Sequence, residues 1–353
     1  MNKKFLSVIL AFLISFSIAS CSVVLPEEPQ MTESAEEVSG DFAVHYIDVG
    51  QADSSLIICG DATMLIDGGN AEDSSLVVTY LNKLGITHLD YMVCTHAHED
   101  HVGGLSGPLN TVTVGTVYAP YTESDIKAYT SFKKAALKQV SEIKVPDVGE
   151  TIELGESKIV FLGPVTENYE DLNDTSIVLK AKFGETAFLF TGDATREAEA
   201  DIINSGADLS ADVFKVGHHG SESSNSYAFL REIMPEYAVI SVGAGNSYGH
   251  PHDEVLSRLE DADVTVYRTD LQGDIIATSD GKNITFKTVK HKNSVQQTVQ
   301  TTVSEDGYIG NKNSKKFHLP VCNALPAEKN RVYFENREEA IQASYEPCGG
   351  CKP

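Results

Sequence analysis

Residues 89–101 read LDYMVCTHAHEDH, an apolar run followed at once by a dense group of metal-binding side chains. The continuity of the run predicts a strand that is buried on both faces. In the turn after it, His96 and His98 can face one focus because they are alternate residues, while the adjacent Asp100 and His101 can face a second. This H-x-H-x-D-H pattern therefore predicts a loop that holds two neighbouring divalent ions.

Further candidate ligands follow other predicted strands. Asp193 ends TAFLFTGD, where it can bridge two ions or, alternatively, cap the next helix. His218 and His219 lie in KVGHHGS, and His250 and His252 lie in NSYGHPHDE. Seven of the 11 histidines of the chain fall in these motifs and in the first one, so we expect them to form one constellation.

The rest of residues 41–290 interleaves strands and helices. Short β-rich runs bounded by Gly and Asp predict strands at FAVHYIDV, SSLIIC, ATMLID, IVFLG, SIVLKAKF, TAFLFTGD, DVFKVGHH, YAVISVG, VTVYRTD and DIIATSD, the first three as an antiparallel meander. Helices are predicted at about 73–84, 123–139, 195–206, 224–233 and 253–261. This pattern favours two sheets with helices outside them.

A set of motifs in this region resembles a known family. HYIDVGQADSSLI, LIDGG, THAHEDHVGG, NDTSIVL, FTGD, KVGHHGS, YGHPH and YRTDLQGDI occur in order over about 43–287. They resemble the extracellular hydrolase domain of ComEC-type competence and DNA-uptake proteins, a branch of the metallo-β-lactamase superfamily. The resemblance implies an α/β (α+β) fold, a four-layer αββα sandwich with a dinuclear site at one edge.

The resemblance also implies metal ligands. These are His96 and His98 for one ion, Asp100 and His101 for the other, Asp193 as a bridge, and His218 or His219 to complete the second site, with His218 favoured. Other superfamily members supply a further His before the bridging Asp, but this chain has none between His101 and His218. Asn173 and Ser176 occupy that region instead. This departure argues against β-lactam hydrolysis and leaves the two ions open as zinc or manganese.

The chemistry implied is hydrolysis of a phosphodiester. Two cations lower the pKa of a shared water, and Asp100 belongs to the group that positions it. His250 is expected to donate a proton to the leaving oxygen or to hold the phosphate. Asp48, Asp67, Asn173 and Ser176 are expected to orient the ligands.

The N-terminus carries an export signal. Lys3 and Lys4 precede an apolar run that ends near Ile18, and Ile-Ala-Ser-Cys21 resembles the bacterial lipobox. Residues 1–21 are therefore predicted to be a lipoprotein signal peptide with lipidation at Cys21, and the alternative is a plain secretory signal. Residues 22–40 predict a disordered tether. We expect an anchored or secreted protein at the outer face of the cytoplasmic membrane, with no transmembrane helix in the mature chain.

The remaining cysteines fall into two groups. Cys59 and Cys94 lie in apolar strands, where they are expected to be buried thiols, with a disulfide as the alternative. His318, Cys322, Cys348 and Cys351 have the spacing of a tetrahedral zinc site, although a disulfide also remains open. With a linker at 291–306, residues 307–353 resemble the zinc-binding module of the Ada DNA-repair protein. The resemblance implies one structural zinc, and Lys312, Lys315 and Lys316 are expected to contact DNA phosphates.

The charge of the chain bears on its substrate. The net charge is −24, which repels a polyanion. Residues 22–281 hold 14 Lys+Arg and 44 Asp+Glu, whereas residues 282–353 hold 11 and 7. The leading hypothesis is a metal-dependent phosphodiesterase that cuts DNA, helped by the basic C-terminal region. The alternatives are hydrolysis of another phosphodiester, such as a cell-wall phosphorylcholine ester, or a non-catalytic DNA-binding component of uptake. No protein partner is identifiable.

Overall fold

The structure is a computed structural model that describes residues 42–120, 124–290, 307–320, 322, 324–334 and 337–351. The signal peptide, Cys21, the tether and the linker predicted from the sequence lie outside these residues. Residues 42–290 form the main domain, and residues 307–351 form the C-terminal module.

The main domain alternates strands and helices along the chain. The strands are β1 Phe42–Tyr46, β2 Ser55–Cys59, β3 Ala62–Ile66, β4 His88–Val93, β5 Thr113–Tyr118, β6 Thr151–Leu154, β7 Ser157–Gly163, β8 Val178–Phe183, β9 Thr186–Phe190, β10 Val213–Lys215, β11 Tyr237–Ile240, β12 Thr265–Arg268, β13 Asp274–Ser279 and β14 Ile284–Val289. The helices are α1 Ser74–Lys83, α2 Glu99–Val102, α3 Ser106–Thr111, α4 Lys127–Ala136, α5 Arg196–Asn204, α6 Tyr227–Ile233, α7 Asp253–Asp261 and α8 Thr269–Gln272.

These strands form two sheets that pack face to face. Their orders are β14-β13-β1-β2-β3-β4-β5 and β12-β11-β10-β9-β8-β7-β6. β1 and β9 are buried along their whole length because their apolar residues fill both the space between the sheets and the space under the helices. Between the sheets, Phe42 packs against Phe183 and Phe188 with ring centroids 5.3 and 5.1 Å apart.

Helices cover the outer face of each sheet. Val77 of α1 and Phe132 of α4 belong to the apolar core over the first sheet. Ile202 of α5, Leu230 of α6 and Leu259 of α7 belong to the core over the second. The order of layers is helix, sheet, sheet, helix, which confirms the predicted αββα sandwich.

Several parallel strands end at one edge of this sandwich. β3, β4 and β5 run parallel to one another, as do β9, β10, β11 and β12. The carboxyl ends of parallel neighbours meet at the same side of a sheet, where loops of open α/β folds collect functional side chains. The loops that follow β3, β4, β9 and β10 carry Asp67, His96, Asp193 and the pair His218–His219.

The predicted meander is confirmed, since β1, β2 and β3 pair antiparallel. β5, β6, β14, α2, α3 and α8 are additional elements. α3 contains Gly107 and Pro108, which are poor helix formers, so packing rather than propensity stabilises it. Cys59 and Cys94 are buried free thiols, and no disulfide joins them.

The C-terminal module has its own small sheet. Its elements are β15 Tyr308–Asn311, β16 Lys316–His318, β17 Arg331–Phe334, α9 Arg337–Gln342 and β18 Glu346–Pro347, with the strand order β17-β15-β16-β18. Phe317, Phe334 and Tyr345 form a small apolar core. Across the described ranges, no helix is both long and apolar enough to cross a bilayer.

Candidate metal centre

Asp67 ties the end of β4 to the short helix α2. Its carboxylate accepts hydrogen bonds from the Thr95 backbone N–H at 2.8 Å and from the Thr95 hydroxyl at 2.7 Å. It also lies 2.8 Å from Nδ1 of His101, which can donate to it. This contact leaves Nε2 of His101 free to face the other candidate ligands, and the orienting role of Asp67 stays a prediction.

Asp193 lies at the centre of the predicted ligands. Its backbone N–H donates to Oγ of Ser176 at 3.0 Å, which holds the turn after β9. Oδ1 lies 3.2 Å from Nε2 of His101, and Oδ2 lies 4.0 Å from Nε2 of His96 and 3.6 Å from Nε2 of His218. A carboxylate that faces histidines on several sides has the position expected of a bridge between two ions.

The two adjacent histidines after β10 have different surroundings. Both have positive φ angles, 53° for His218 and 52° for His219, which directs their rings apart. His219 is buried, with Nε2 3.3 Å from Oδ2 of Asp100 and 3.8 Å from Oδ2 of Asp193. His218 is partly exposed. The geometry favours His219 as the partner of Asp100, although the sequence alone favours His218.

Asn173 lies beside His98, one of the two histidines predicted to hold the first ion. Nε2 of His96 and Nδ1 of His98 face each other at 3.1 Å, and Oδ1 of Asn173 lies 2.9 Å from Nδ1 of His98. Asn173 follows the Asp171 carboxylate, which accepts a hydrogen bond from its N–H. The structure thus brings an amide to the region for which the chain has no third histidine.

The donor set fits divalent cations. Donor atoms of His96, His101 and Asp193 lie within 4.8 Å of one another, and so do those of Asp100, His101 and His219. Nε2 of His101, Oδ1 of Asp193 and Nε2 of His219 are buried with no hydrogen-bond partner among the described residues. Buried polar atoms are costly when unsatisfied, and imidazole nitrogens and carboxylates that converge without hydrogen bonding are the donors that zinc and manganese take.

The electrostatics of the cluster agree with this assignment. Burial opposes protonation of His219, but the Asp193 and Asp53 carboxylates outweigh it and raise the pKa of His219 to about 10. Burial also opposes ionisation of Asp100, whereas the His219 imidazole, 3.3 Å away, lowers its pKa to about 2. Burial, reinforced by the nearby His101, keeps the pKa of His96 well below its ordinary value. The carboxylates are therefore charged, and the site attracts cations.

A buried ion pair behind His219 was not anticipated from the sequence. Asp53 Oδ2 accepts a hydrogen bond from Lys215 Nζ at 2.8 Å, and both side chains are buried. Oδ1 of Asp53 lies 3.4 Å from Nδ1 of His219, which also lies 3.1 Å from the Ser241 carbonyl oxygen. The sequence does contain one indication of this pair, the lysine inside the apolar run VFKV. A lysine side chain buried in such a strand needs a buried anion as its partner.

A cleft of about 540 Å³ opens over these donors. Gln51 and Asn173 line it, together with His98, Asp100, Asp193, His218 and His219 and with Tyr248 and His250 at one side. Nδ1 of His250 is 3.4 Å from Nε2 of Gln51, and burial lowers the pKa of His250 to about 3. Asp48 accepts a hydrogen bond from the Gly50 N–H, and its predicted role in orienting ligands stays a prediction.

A second group of donors lies in the C-terminal module. Ligand atoms of His318, Cys322, Cys348 and Cys351 lie within 4.8 Å of one another, and the cysteines are free thiols. A hydrogen bond from Cys322, against the effect of burial, lowers the pKa of the Cys348 thiol to about 2. Three sulfurs and one imidazole in this arrangement suit a tetrahedral structural zinc.

Comparison with known proteins agrees with both parts. The metallo-beta-lactamase superfamily model matches residues 47–244, and the metal binding domain of Ada matches residues 294–353. ComE operon protein 3 of Bacillus subtilis is 30% identical over 67% of this chain and 33% of its own length. Competence protein ComA of Neisseria gonorrhoeae is 33% identical over 65% of this chain and 31% of its own.

Similarity to a solved structure was also found. The metallo-beta-lactamase fold protein YhfI of Bacillus subtilis is 13% identical, with a TM-score of 0.46 over 70% of this chain and 100% of that one. The chain spans about a third of the length of the curated relatives it matches. It belongs to the metallo-β-lactamase superfamily, on a branch shared with bacterial competence proteins, and it ends in an Ada-type metal-binding domain.

Proposed function

We propose that this protein is a metal-dependent phosphodiesterase that cuts DNA at a dinuclear centre. The observation that supports this most is the convergence of His96, His101, His219 and Asp100 on Asp193, with buried donor atoms that have no other partner among the described residues. Such a set is suited to two ions that share a carboxylate. The donors needed for catalysis are present, which favours an enzyme over a non-catalytic DNA-binding component.

The residues of the cleft have distinct proposed roles. His96 and His98 would hold one ion, Asp100, His101 and His219 would hold the other, and Asp193 would contribute to both. Bound together, two such ions activate a water and neutralise charge on a phosphoryl group. Asp67 keeps the imidazole of His101 in its orientation, and Asp53 does the same for His219.

His250 is proposed to act on the substrate itself. It lies at the mouth of the cleft, and its low pKa keeps it neutral at neutral pH. A neutral imidazole in this position can donate one N–H to a phosphate oxygen or to the departing oxygen.

DNA is the proposed substrate because two independent features point to it. One matched relative is named as a competence protein and another, in Haemophilus influenzae, as a recombination protein. The C-terminal module belongs to the metal-binding domain type of a DNA-repair protein.

We also propose the domain boundaries 41–290, 291–306 and 307–353, with an export signal at 1–21, lipidation at Cys21 and a tether at 22–40. Cys21→Ser is expected to abolish labelling with palmitate and release the protein from membranes.

The test is cleavage of plasmid and of single-stranded DNA by the chain without residues 1–21, with Mn²⁺ or Zn²⁺ and with or without chelator. Cleavage is expected to depend on metal and to be lost in His98→Ala/Asp100→Ala. The matched control His88→Ala removes an exposed histidine on β4 and should keep activity. Failure to cut either DNA with any metal, together with hydrolysis of a phosphorylcholine ester, would replace DNA by that substrate class.

A further inference from the structure

A second cleft adjoins the metal centre and is formed jointly by the main domain and the C-terminal module. Its volume is about 480 Å³, and it shares His250 with the cleft over the metal ligands. Its polar and charged lining is Asn246, His250, Arg268 and Asp270 from the main domain and Lys329 and Arg331 from the module. A chain that leaves the metal centre past His250 therefore enters a cationic groove.

The module is held at this place by several contacts. Arg268 donates to the Leu325 carbonyl oxygen at 3.0 Å, while Asp270 neutralises its guanidinium at 2.6 Å. Asn330 donates to the carboxylate of Asp253 at 3.2 Å. Lys329 Nζ lies against the backbone of Gly249, where a Cβ would approach it to 2.6 Å. The Lys329 ammonium group thus lies close to the main-domain backbone, one residue before His250.

Lys329 and Arg331 are the free cations of this groove. Within the described residues, no carboxylate lies within ion-pair distance of either side chain, and Arg331 donates only Nε to the Pro326 carbonyl oxygen. Arg331 therefore keeps its terminal guanidinium nitrogens for a ligand. A phosphodiester is the ligand that suits a lysine and an arginine side by side.

The three lysines that the sequence suggested for phosphate contact are engaged elsewhere. Lys312 donates to the Lys329 carbonyl oxygen, and Lys315 lies 4.7 Å from the ring centroid of Tyr345. Lys316 pairs with Glu260 at 3.5 Å. The cations available beside the metal centre are thus on β17 and just before it.

An exposed aromatic ring lines the cleft over the metal ligands, next to the His250 that the two clefts share. Tyr248 is 66% exposed and its ring stacks on His250, with centroids 5.6 Å apart and planes 23° apart. Its outer face is a platform for a planar group. An aromatic platform next to cations is the arrangement by which proteins bind single-stranded nucleic acid, since stacking holds the base and cations hold the backbone.

We propose that Tyr248, Lys329 and Arg331 form a binding track for single-stranded DNA, in which a base stacks on Tyr248 and the following phosphates contact Lys329 and Arg331. This inference rests on the proposed function and names the form of its substrate. It also explains how a chain with a net charge of −24 binds a polyanion, because the positive groups are concentrated where the strand runs.

The test measures binding of a labelled single-stranded oligonucleotide by fluorescence anisotropy at several salt concentrations, with the full mature chain. Lys329→Glu/Arg331→Glu is expected to weaken binding at least about tenfold at low salt and to reduce the slope of log K against log salt by about 1.4, the value for two lost phosphate contacts. Tyr248→Ala is expected to weaken binding roughly 5- to 150-fold with little change in that slope.

Matched controls change the same charge and the same residue type elsewhere. Lys158→Glu/Lys182→Glu reverses two exposed lysines on β7 and β8, and Tyr227→Ala removes an exposed tyrosine on α6. Both should bind as the unchanged protein does. Lys329→Gln/Arg331→Gln repeats the experiment with a milder substitution if the charge reversal prevents folding.

Two readouts separate this inference from the proposed function. Hydrolysis of bis(4-nitrophenyl) phosphate, which is too small to reach the groove, should be unchanged in Lys329→Glu/Arg331→Glu, because neither residue lines the cleft over the metal ligands. If that ester is hydrolysed but the variants bind DNA normally, the proposed binding track is wrong and the proposed phosphodiesterase activity is retained. If no phosphodiester is cut but the variants lose DNA binding, the track stands and the enzyme is wrong. A further competition assay asks whether unlabelled poly(glycerol phosphate) competes with the labelled oligonucleotide as well as unlabelled DNA does, and equally well in Tyr248→Ala. That result would assign the groove to a phosphate polymer without bases.

Discussion

At the scale of single residues, two buried carboxylates contact the proposed metal ligands from the side away from the cleft. Asp67 contacts His101, and Asp53 lies behind His219 while it neutralises Lys215. Removing one member of a buried ion pair leaves a charge without a partner, and this costs more than the pair contributes.

Asp53→Asn is therefore expected to lower the free energy of unfolding by about 3–5 kcal/mol, because Lys215 stays buried and charged. Asp53→Asn/Lys215→Met should recover most of this loss, and chemical denaturation of both variants and of the unchanged protein measures the two effects. Lys282→Met is the control, since Lys282 pairs with Glu185 on the surface at 3.9 Å and should change stability by less than about 1 kcal/mol. Equal losses from Asp53→Asn and Lys282→Met would show that the buried pair has no special weight.

The difference between Asp67 and Asp53 explains what the sequence can reveal about a site. Asp67 stands in the LIDGG motif that follows β3, so its orienting role can be predicted from that motif. Asp53 meets Lys215 only because two sheets pack together, and no local spacing encodes that contact. The choice between His218 and His219 as the candidate ligand is similar. It depends on the backbone angles of the two residues, which cannot be read from a pair of identical neighbours in the sequence.

At the scale of elements, the loop after β3 and the segment after α2 approach each other backbone to backbone. A Cβ on Gly68 would lie 2.6 Å from the Leu105 amide nitrogen, and a Cβ on Gly104 would collide with the Gly68 carbonyl oxygen. The loop that holds Asp67 and the helix that holds Asp100 and His101 therefore have a fixed spacing that only glycine permits.

Gly104→Ala is expected to push these two segments apart, lowering metal content and the free energy of unfolding together. Gly206→Ala serves as the comparison, because its φ of +75° strains an alanine while nothing lies within 4 Å of the new Cβ. That strain alone should cost about 1–2 kcal/mol and leave the bound metal unchanged. Metal analysis after dialysis, with thermal unfolding in parallel, measures both. Full metal content in Gly104→Ala would contradict the close spacing.

The same scale shows where sequence reasoning succeeded and where it did not. In helix α7 and in the strands of the first meander, the spacing of the apolar residues matches the faces that are buried. Their positions could therefore be predicted from the sequence. α3 contains Ser106-Gly107-Pro108 and forms only because it packs on α1 and α4. β14 is an edge strand whose residues are at most partly buried, so its pattern is weak.

At the scale of the whole molecule, two kinds of metal site should be separable. Cys348→Ser/Cys351→Ser is expected to remove one equivalent of zinc, because it deletes two of four donors in the module. His98→Ala/Asp100→Ala should remove metal from the main domain and leave the module's zinc in place.

Elemental analysis of purified protein distinguishes these losses. Cys59→Ser is the control, since Cys59 is a buried thiol outside the donor groups identified among the described residues. An unchanged zinc content in Cys348→Ser/Cys351→Ser would show that the module folds without a metal. Its small core of Phe317, Phe334, Ala340 and Tyr345 makes that outcome unexpected.

The donors of the main centre come from both halves of the sandwich, and this has a consequence for the order in which the protein is made. A ribosome completes His96 to His101 long before Asp193 and His219. Any ion held by this set is bound weakly by a nascent or truncated chain, and full occupancy waits until β10 has paired with β9. Metal loading therefore waits for the second half of the sandwich, and a chain truncated before β10 lacks part of the donor set.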